Sequence, residues 1–63
     1  MTKATREGVL SVFKKYAPNE YKEMMKADKG FMEDHLDFLA SSWGTLENGE
    51  KRLKKAAEEG LID

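Results

Sequence analysis

Sixty-three residues carry no Cys, 11 Lys and Arg against 12 Asp and Glu, and a net charge of −1. These numbers exclude a disulfide framework, a Cys-based metal site and a generally basic nucleic-acid binder. A chain of this size buries only about 60% of the surface its unfolded form exposes, so residues 1–63 read as one marginally stable domain braced by packing or self-association.

Residues 1–4 read as a loose end. Thr5 is placed to cap a first helix over about residues 5–17, with Glu7 in the first turn. Val9, Leu10, Phe13, Tyr16 and Ala17 share one apolar face, and Lys14 and Lys15 lie on the polar side. Gly8 marks either a close helix contact or a frayed first turn, and fraying is the expectation. Pro18 disfavours helical geometry at Ala17 and ends this helix.

A second helix follows over about 19–29, begun by Pro18 or Asn19, with Tyr21, Met24 and Met25 as its apolar face. Lys29-Gly30-Phe31 fits a Gly-capped end in which Gly30 is left-handed and Phe31 folds back toward the Met25 turn. The third helix, over about 31–43, has the cleanest period in the chain. Met32, Leu36, Leu39 and Trp43 recur at three- or four-residue spacing beside Ala40, so this helix is the expected centre of the fold. Its acids Glu33 and Asp34 suit a helix N-terminus. Gly44 stops it, and Thr45 caps a fourth helix over about 45–59, whose start Asn48-Gly49 can delay by a turn. Leu46, Leu53, Ala56 and Ala57 form its thin apolar stripe before a second stop at Gly60-Leu61.

No alternating apolar run marks a strand. The predicted fold is an all-α, compact bundle of three to four short helices. Its predicted core is Val9, Leu10, Phe13, Tyr16, Met24, Met32, Leu36, Leu39, Trp43 and Leu53. No apolar run approaches the ~18 residues of a membrane span and no secretory signal opens the chain, so no membrane partner and a cytoplasmic location are expected.

Three features bear on function. Phe31, Phe38 and Ser42, with His35 between them, lie about 100° round the third helix from its core stripe. Either a neighbouring helix covers this flank, or it is an aromatic strip that docks a partner or a second copy of the chain, extended by Tyr16, Tyr21, Met24 and Met25. The segment 31–50 holds Glu33, Asp34, Asp37, Glu47 and Glu50 and no Lys or Arg. These acids are either ordinary solvated residues or a negative field for a basic groove, such as a nucleic-acid-binding surface. Lys51, Arg52, Lys54 and Lys55 gather on the fourth helix, where Glu47–Lys51 and Glu50–Lys54 have the i, i+4 spacing of ion pairs.

The run LASSWGTLENGEKRLKKAAEEGLI, about the last third of the chain, resembles the helix-turn-helix of winged-helix transcription regulators. In that likeness Leu39, Ala40 and Gly44 occupy the turn, Leu53 the inward side of the recognition helix, and Gly60, Leu61 and Ile62 its exit. The resemblance implies duplex DNA as partner and Lys51, Arg52, Lys54 and Lys55 as its contacts. It departs from the pattern where Leu46-Glu47-Asn48-Gly49 replaces a Ser-Thr cluster, and where Glu47 and Glu50 would face phosphate.

Catalytic chemistry has no recognisable bearer. His35 is the single His, without a second His or Cys for a transition metal and without a nucleophile motif around it. Glu33 and Asp37 share a helix face but lack EF-hand spacing, and the Gly residues form no phosphate loop. The expectation is a non-enzyme with no cofactor and no metal. It acts as an inhibitor or adaptor that docks on a larger protein or nucleoprotein complex through Glu33, Asp34 and Asp37 and the anchors Phe31, Phe38 and Tyr21. Small charge-rich chains of this kind suit a phage or mobile-element protein that blocks a nucleic-acid-handling host complex, such as a CRISPR effector. The alternatives are the DNA-binding regulator and a homodimer closed over the Phe31/Phe38 strip.

Overall fold

Val9 is wholly buried, with Val12 and Phe13 nearly so, which makes the first helix, and not the third, the one around which the chain closes. A computed structural model describes residues 2–63 and shows four helices: α1 (Arg6–Tyr16), α2 (Pro18–Lys26), α3 (Lys29–Trp43) and α4 (Leu46–Glu58). α1 packs against each of the other three. The reason lies in its spacing. Val9, Val12, Phe13 and Tyr16 recur at i, i+3, i+4 and i+7 on one face, and Leu10 and Ala17 widen it, so more than one neighbour can pack there.

Five of the ten expected core residues, Val9, Phe13, Leu36, Trp43 and Leu53, are buried. The other five, Leu10, Tyr16, Met24, Met32 and Leu39, are half-buried against them. Ala4 joins the core, which corrects the loose N-terminus. Residue 1 lies outside the described residues, but residues 2–4 lace across the α3–α4 turn. Ala4 N–H donates to Gly44 O (3.1 Å), Leu46 N–H donates to Thr2 O (2.8 Å), and Lys3 bridges Thr45. These bonds serve a helix-end carbonyl and a helix-start amide that have no intrahelical partner.

The caps at Thr5 and Thr45 form as expected, their hydroxyls accepting from the Gly8 and Asn48 amides. Gly44 and Gly60 adopt positive φ, 76° and 75°. Gly30 does not. α2 ends at Lys26, Ala27 is extended, and the Asp28 carboxylate caps α3 by accepting from Phe31 N–H (3.5 Å). Lys29 and Gly30 thus open α3, and Glu33 and Asp34 fall beyond its first turn.

Gly8 and Gly49 are contact positions. A Cβ on Gly8 would stand 2.5 Å from Leu46 Cδ2, so this residue sets the α1–α4 approach and corrects the frayed reading. Gly49 does not delay α4. A Cβ there would overlap the Trp43 ring, which lies on the bare backbone and stacks on Phe13 with centroids 5.9 Å apart. Gly49→Ala should therefore lower stability by about 2 kcal/mol, because overpacking against a buried ring, at the upper end of its ~1–3 kcal/mol range, outweighs a helix-propensity gain of ~1. Its melting temperature should fall by roughly 10 °C. Gly8→Ala meets both methyls and Cγ of the half-buried Leu46, a side chain that can shift, and should stay within about 0.5 kcal/mol of the parent, because gain and clash nearly cancel. Parallel thermal melts followed by circular dichroism check both values.

Candidate functional site

α3 buries Leu36 and Trp43 and turns a second side outward. On that side Phe31 and Phe38 are 66% and 68% exposed, and His35 and Ser42 are exposed beside them. Phe31, His35 and Phe38 stand at i, i+4 and i+7, which puts them in one row. The Phe31 and His35 rings lie parallel, their planes 8° apart and centroids 6.4 Å apart. No described segment covers the row. Met32 and Leu39, half-buried, carry its apolar edge into the core.

Tyr21 is not brought to this strip. It is half-buried on α2 against the core, with Lys14 Nζ 5.9 Å from its ring centroid. Met24 packs on the core as well, whereas Met25 is 52% exposed. The expected extension of the strip by Tyr16, Tyr21 and Met24 is thus turned inward.

The acids separate into distinct roles. Arg6, from α1, grips Asp37 with both arms of its guanidinium: Nε to Oδ1 at 2.6 Å and Nη2 to Oδ2 at 2.7 Å. Its Nη1 lies 3.6 Å from Glu33 Oε2. This fork holds the Asp37 carboxyl below the usual carboxylate range and raises the Arg6 guanidinium. Two of the three acids proposed for recognition are therefore already matched by a cation, although their own segment contains none. Asp34 has no ion pair among the described residues. Placed i+3 from Phe31 and i−4 from Phe38, it borders the aromatic row.

Glu47 is committed elsewhere, accepting from Thr2 N–H at 2.8 and 3.0 Å. Its pKa is lowered by its own main-chain N–H first and by that of Thr2 next. Lys51, Arg52, Lys54 and Lys55 are all exposed on α4. The expected Glu47–Lys51 and Glu50–Lys54 pairs are absent among the described residues, because Glu47 turns to residue 2 and Glu50 is half-buried. Gly44 turns the chain between α3 and α4 at positive φ, and Leu53 is buried on the inward side of α4.

No group of three or more His, Cys, Asp and Glu suited to a metal ion occurs among the described residues, and no pocket opens there. Among the described residues no helix is long and apolar enough to cross a membrane. The chain matches no protein-family model, no curated protein and no solved structure.

Sequence reasoning missed Arg6. Its only advance signal was charge sign, since 31 residues separate it from Asp37. The pair has a pH signature. Asp37 and Glu47 both titrate lower in the fold than their unfolded values of about 3.9 and 4.3, so their contribution is complete above those values. It is lost as pH falls through the depressed folded values. The melting temperature should drop below about pH 4 for this reason. Asp37→Asn with Glu47→Gln should be less stable than the parent at pH 7 and show a shallower acid drop in melts taken from pH 7 to pH 2.5.

Proposed function

We propose that this chain is a small non-enzymatic interaction module that offers α3 as a rigid helical ligand to an apolar groove on a larger protein, in the manner of an inhibitor or adaptor. The observation that carries the reading is the Phe31/His35/Phe38 row. Two aromatic side chains about two-thirds exposed on one helix face are unusual in a small charge-rich domain. Their i, i+4, i+7 placement is the anchor spacing by which helices enter grooves. α3 is already braced by Leu36 and Trp43, so binding orders little new backbone.

Asp34, without an ion pair among the described residues and adjacent to both Phe residues, favours a groove with a basic rim, and complementary charge there adds on-rate and selectivity. Glu33 and Asp37 contribute through the net field and not as free carboxylates, since Arg6 holds them. A basic-rimmed groove is what a nucleic-acid path provides, and the positively charged channel of a CRISPR effector, blocked by a phage or mobile-element protein, is one concrete form. Affinity capture from host lysate, with and without nuclease, should recover a stoichiometric protein that survives nuclease. Phe31→Ala with Phe38→Ala should lose it at unchanged helicity, and Asp34→Lys should weaken it at least tenfold. Retention by the double Phe variant would overturn the reading, and concentration-dependent sedimentation would point to a homodimer instead.

A second reading is favoured by Lys51, Arg52, Lys54 and Lys55, which are exposed and have no ion pair among the described residues: α4 contacts the phosphates of a DNA duplex. Four such contacts would cost roughly a hundredfold in affinity between 50 and 200 mM salt. Fluorescence anisotropy with a labelled duplex checks this, and binding that is absent or independent of salt would remove it.

A further inference from the structure

Of the four helices, α2 alone has no buried residue. It packs on α1 through the half-buried Tyr21 and Met24, and its contacts with α3 and α4 are at most glancing. Its N-terminus also lacks a cap of its own. Ala17 supplies no side-chain acceptor, and Pro18 at the first position leaves the next amides in need of partners.

The far end of the chain provides one. α4 closes in a Schellman arrangement, with Leu61 N–H donating to Ala56 O (2.9 Å), Gly60 N–H donating to Ala57 O (3.1 Å) and Gly60 left-handed. This turn directs residues 61–63 back along the bundle. Ile62 settles half-buried against the core. Asp63 reaches the start of α2, where its main-chain oxygen accepts from Glu20 N–H (2.7 Å) and its Oδ2 accepts from Asn19 Nδ2 (3.0 Å). A carboxylate at that end also meets the positive pole of the helix.

We propose that residues 61–63 are a latch on α2, and that α2 with its latch opens as a unit from the body formed by α1, α3 and α4. Both ends of α2 are tethered, through Ala17 to α1 and through Ala27 and Asp28 to α3, so opening is local unfolding of about residues 18–28 and not a swing. Ala17, wholly buried between two helices, is the hinge at one end. The body keeps its own ties without α2: the Phe13–Trp43 stack, the Arg6–Asp37 fork and the lacing of residues 2–4. The open form exposes Tyr21 and Met24, adding them to the already exposed Met25 and widening the apolar surface of the molecule.

Residue-resolved native-state hydrogen exchange on the full chain tests this. In the parent, α2 amides should exchange at least tenfold faster than those of Val9, Val12 and Phe13, once corrected for intrinsic rates. Deleting residues 61–63 removes the Asp63 main-chain acceptor with its carboxylate and should speed α2 exchange by roughly three- to thirtyfold, the range expected for a lost cap, whereas Asp37→Asn, which weakens a fork that survives α2 opening, should speed the α1 amides and leave α2 within twofold. Asn19→Ala should act in the same direction from the α2 side. Exchange of α2 at the rate of α1 in the parent would overturn the proposal. So would latch variants that leave α2 exchange unchanged, or an Asp37→Asn variant that speeds α2 as much as α1.

Discussion

The Trp43 ring, held between Phe13 and the bare backbone of Gly49, is the contact on which the rest of the molecule depends. It joins α1, α3 and α4 at one point, and Asn48 reinforces it by donating from Nδ2 to Trp43 O at 2.8 Å. In a chain of 63 residues without Cys, no disulfide shares that duty. An aromatic pair contributes ~0.5–1.5 kcal/mol beyond its burial, a large share of the margin that a domain this small possesses. Seating Trp43 also sets the rotation of α3, and so decides that Phe31, His35 and Phe38 face away from the core.

Around that point, segments distant in sequence close the helix ends. Residues 2–4 serve the turn between α3 and α4, and Asp63 serves the start of α2. Helices of nine to fifteen residues leave many unpaired main-chain groups in proportion to their length, so each such contact matters more here than in a larger domain. The two laces differ in what they hold. The N-terminal one joins elements already packed on α1, whereas the C-terminal one holds a helix with no buried residue.

Local motifs were legible where a few consecutive residues decide the geometry. Thr5 and Thr45 cap, Gly44 and Gly60 stop, and the apolar period locates α1, α3 and α4. Gly30 was misread because Lys29-Gly30-Phe31 suits a helix end as well as a beginning, and the carboxylate of Asp28 favours the beginning. Gly49 looked like a break beside Asn48. Its partner, Trp43, becomes visible only when α3 folds back on α4. The acid-only segment was a true statement about 31–50 and a poor one about the surface, because Arg6 arrives from another helix. The exposed row on α3 was foreseen as one of two outcomes. Periodicity places Phe31 and Phe38 on a flank but does not say whether a neighbour covers it.

The size of that row constrains the shape of what can bind it. An aromatic side chain buries ~150–250 Å², so covering the exposed two-thirds of Phe31 and Phe38 removes roughly 250 Å² from water, worth about 6 kcal/mol on this side of the contact. A flat partner touches one side of each ring and captures about half of that. Association itself costs ~4–15 kcal/mol, so a flat contact on two rings does not hold. A groove that takes the rings between its walls captures the full area, adds its own apolar lining, and brings the half-buried Met32 and Leu39 into the contact. The same arithmetic disfavours two copies meeting strip to strip, since each would offer the other a ridge and not a groove. For the role proposed above, aromatic side chains set along a braced helix, with Asp34 beside them, favour a concave apolar surface with positive charge at one edge over a flat one.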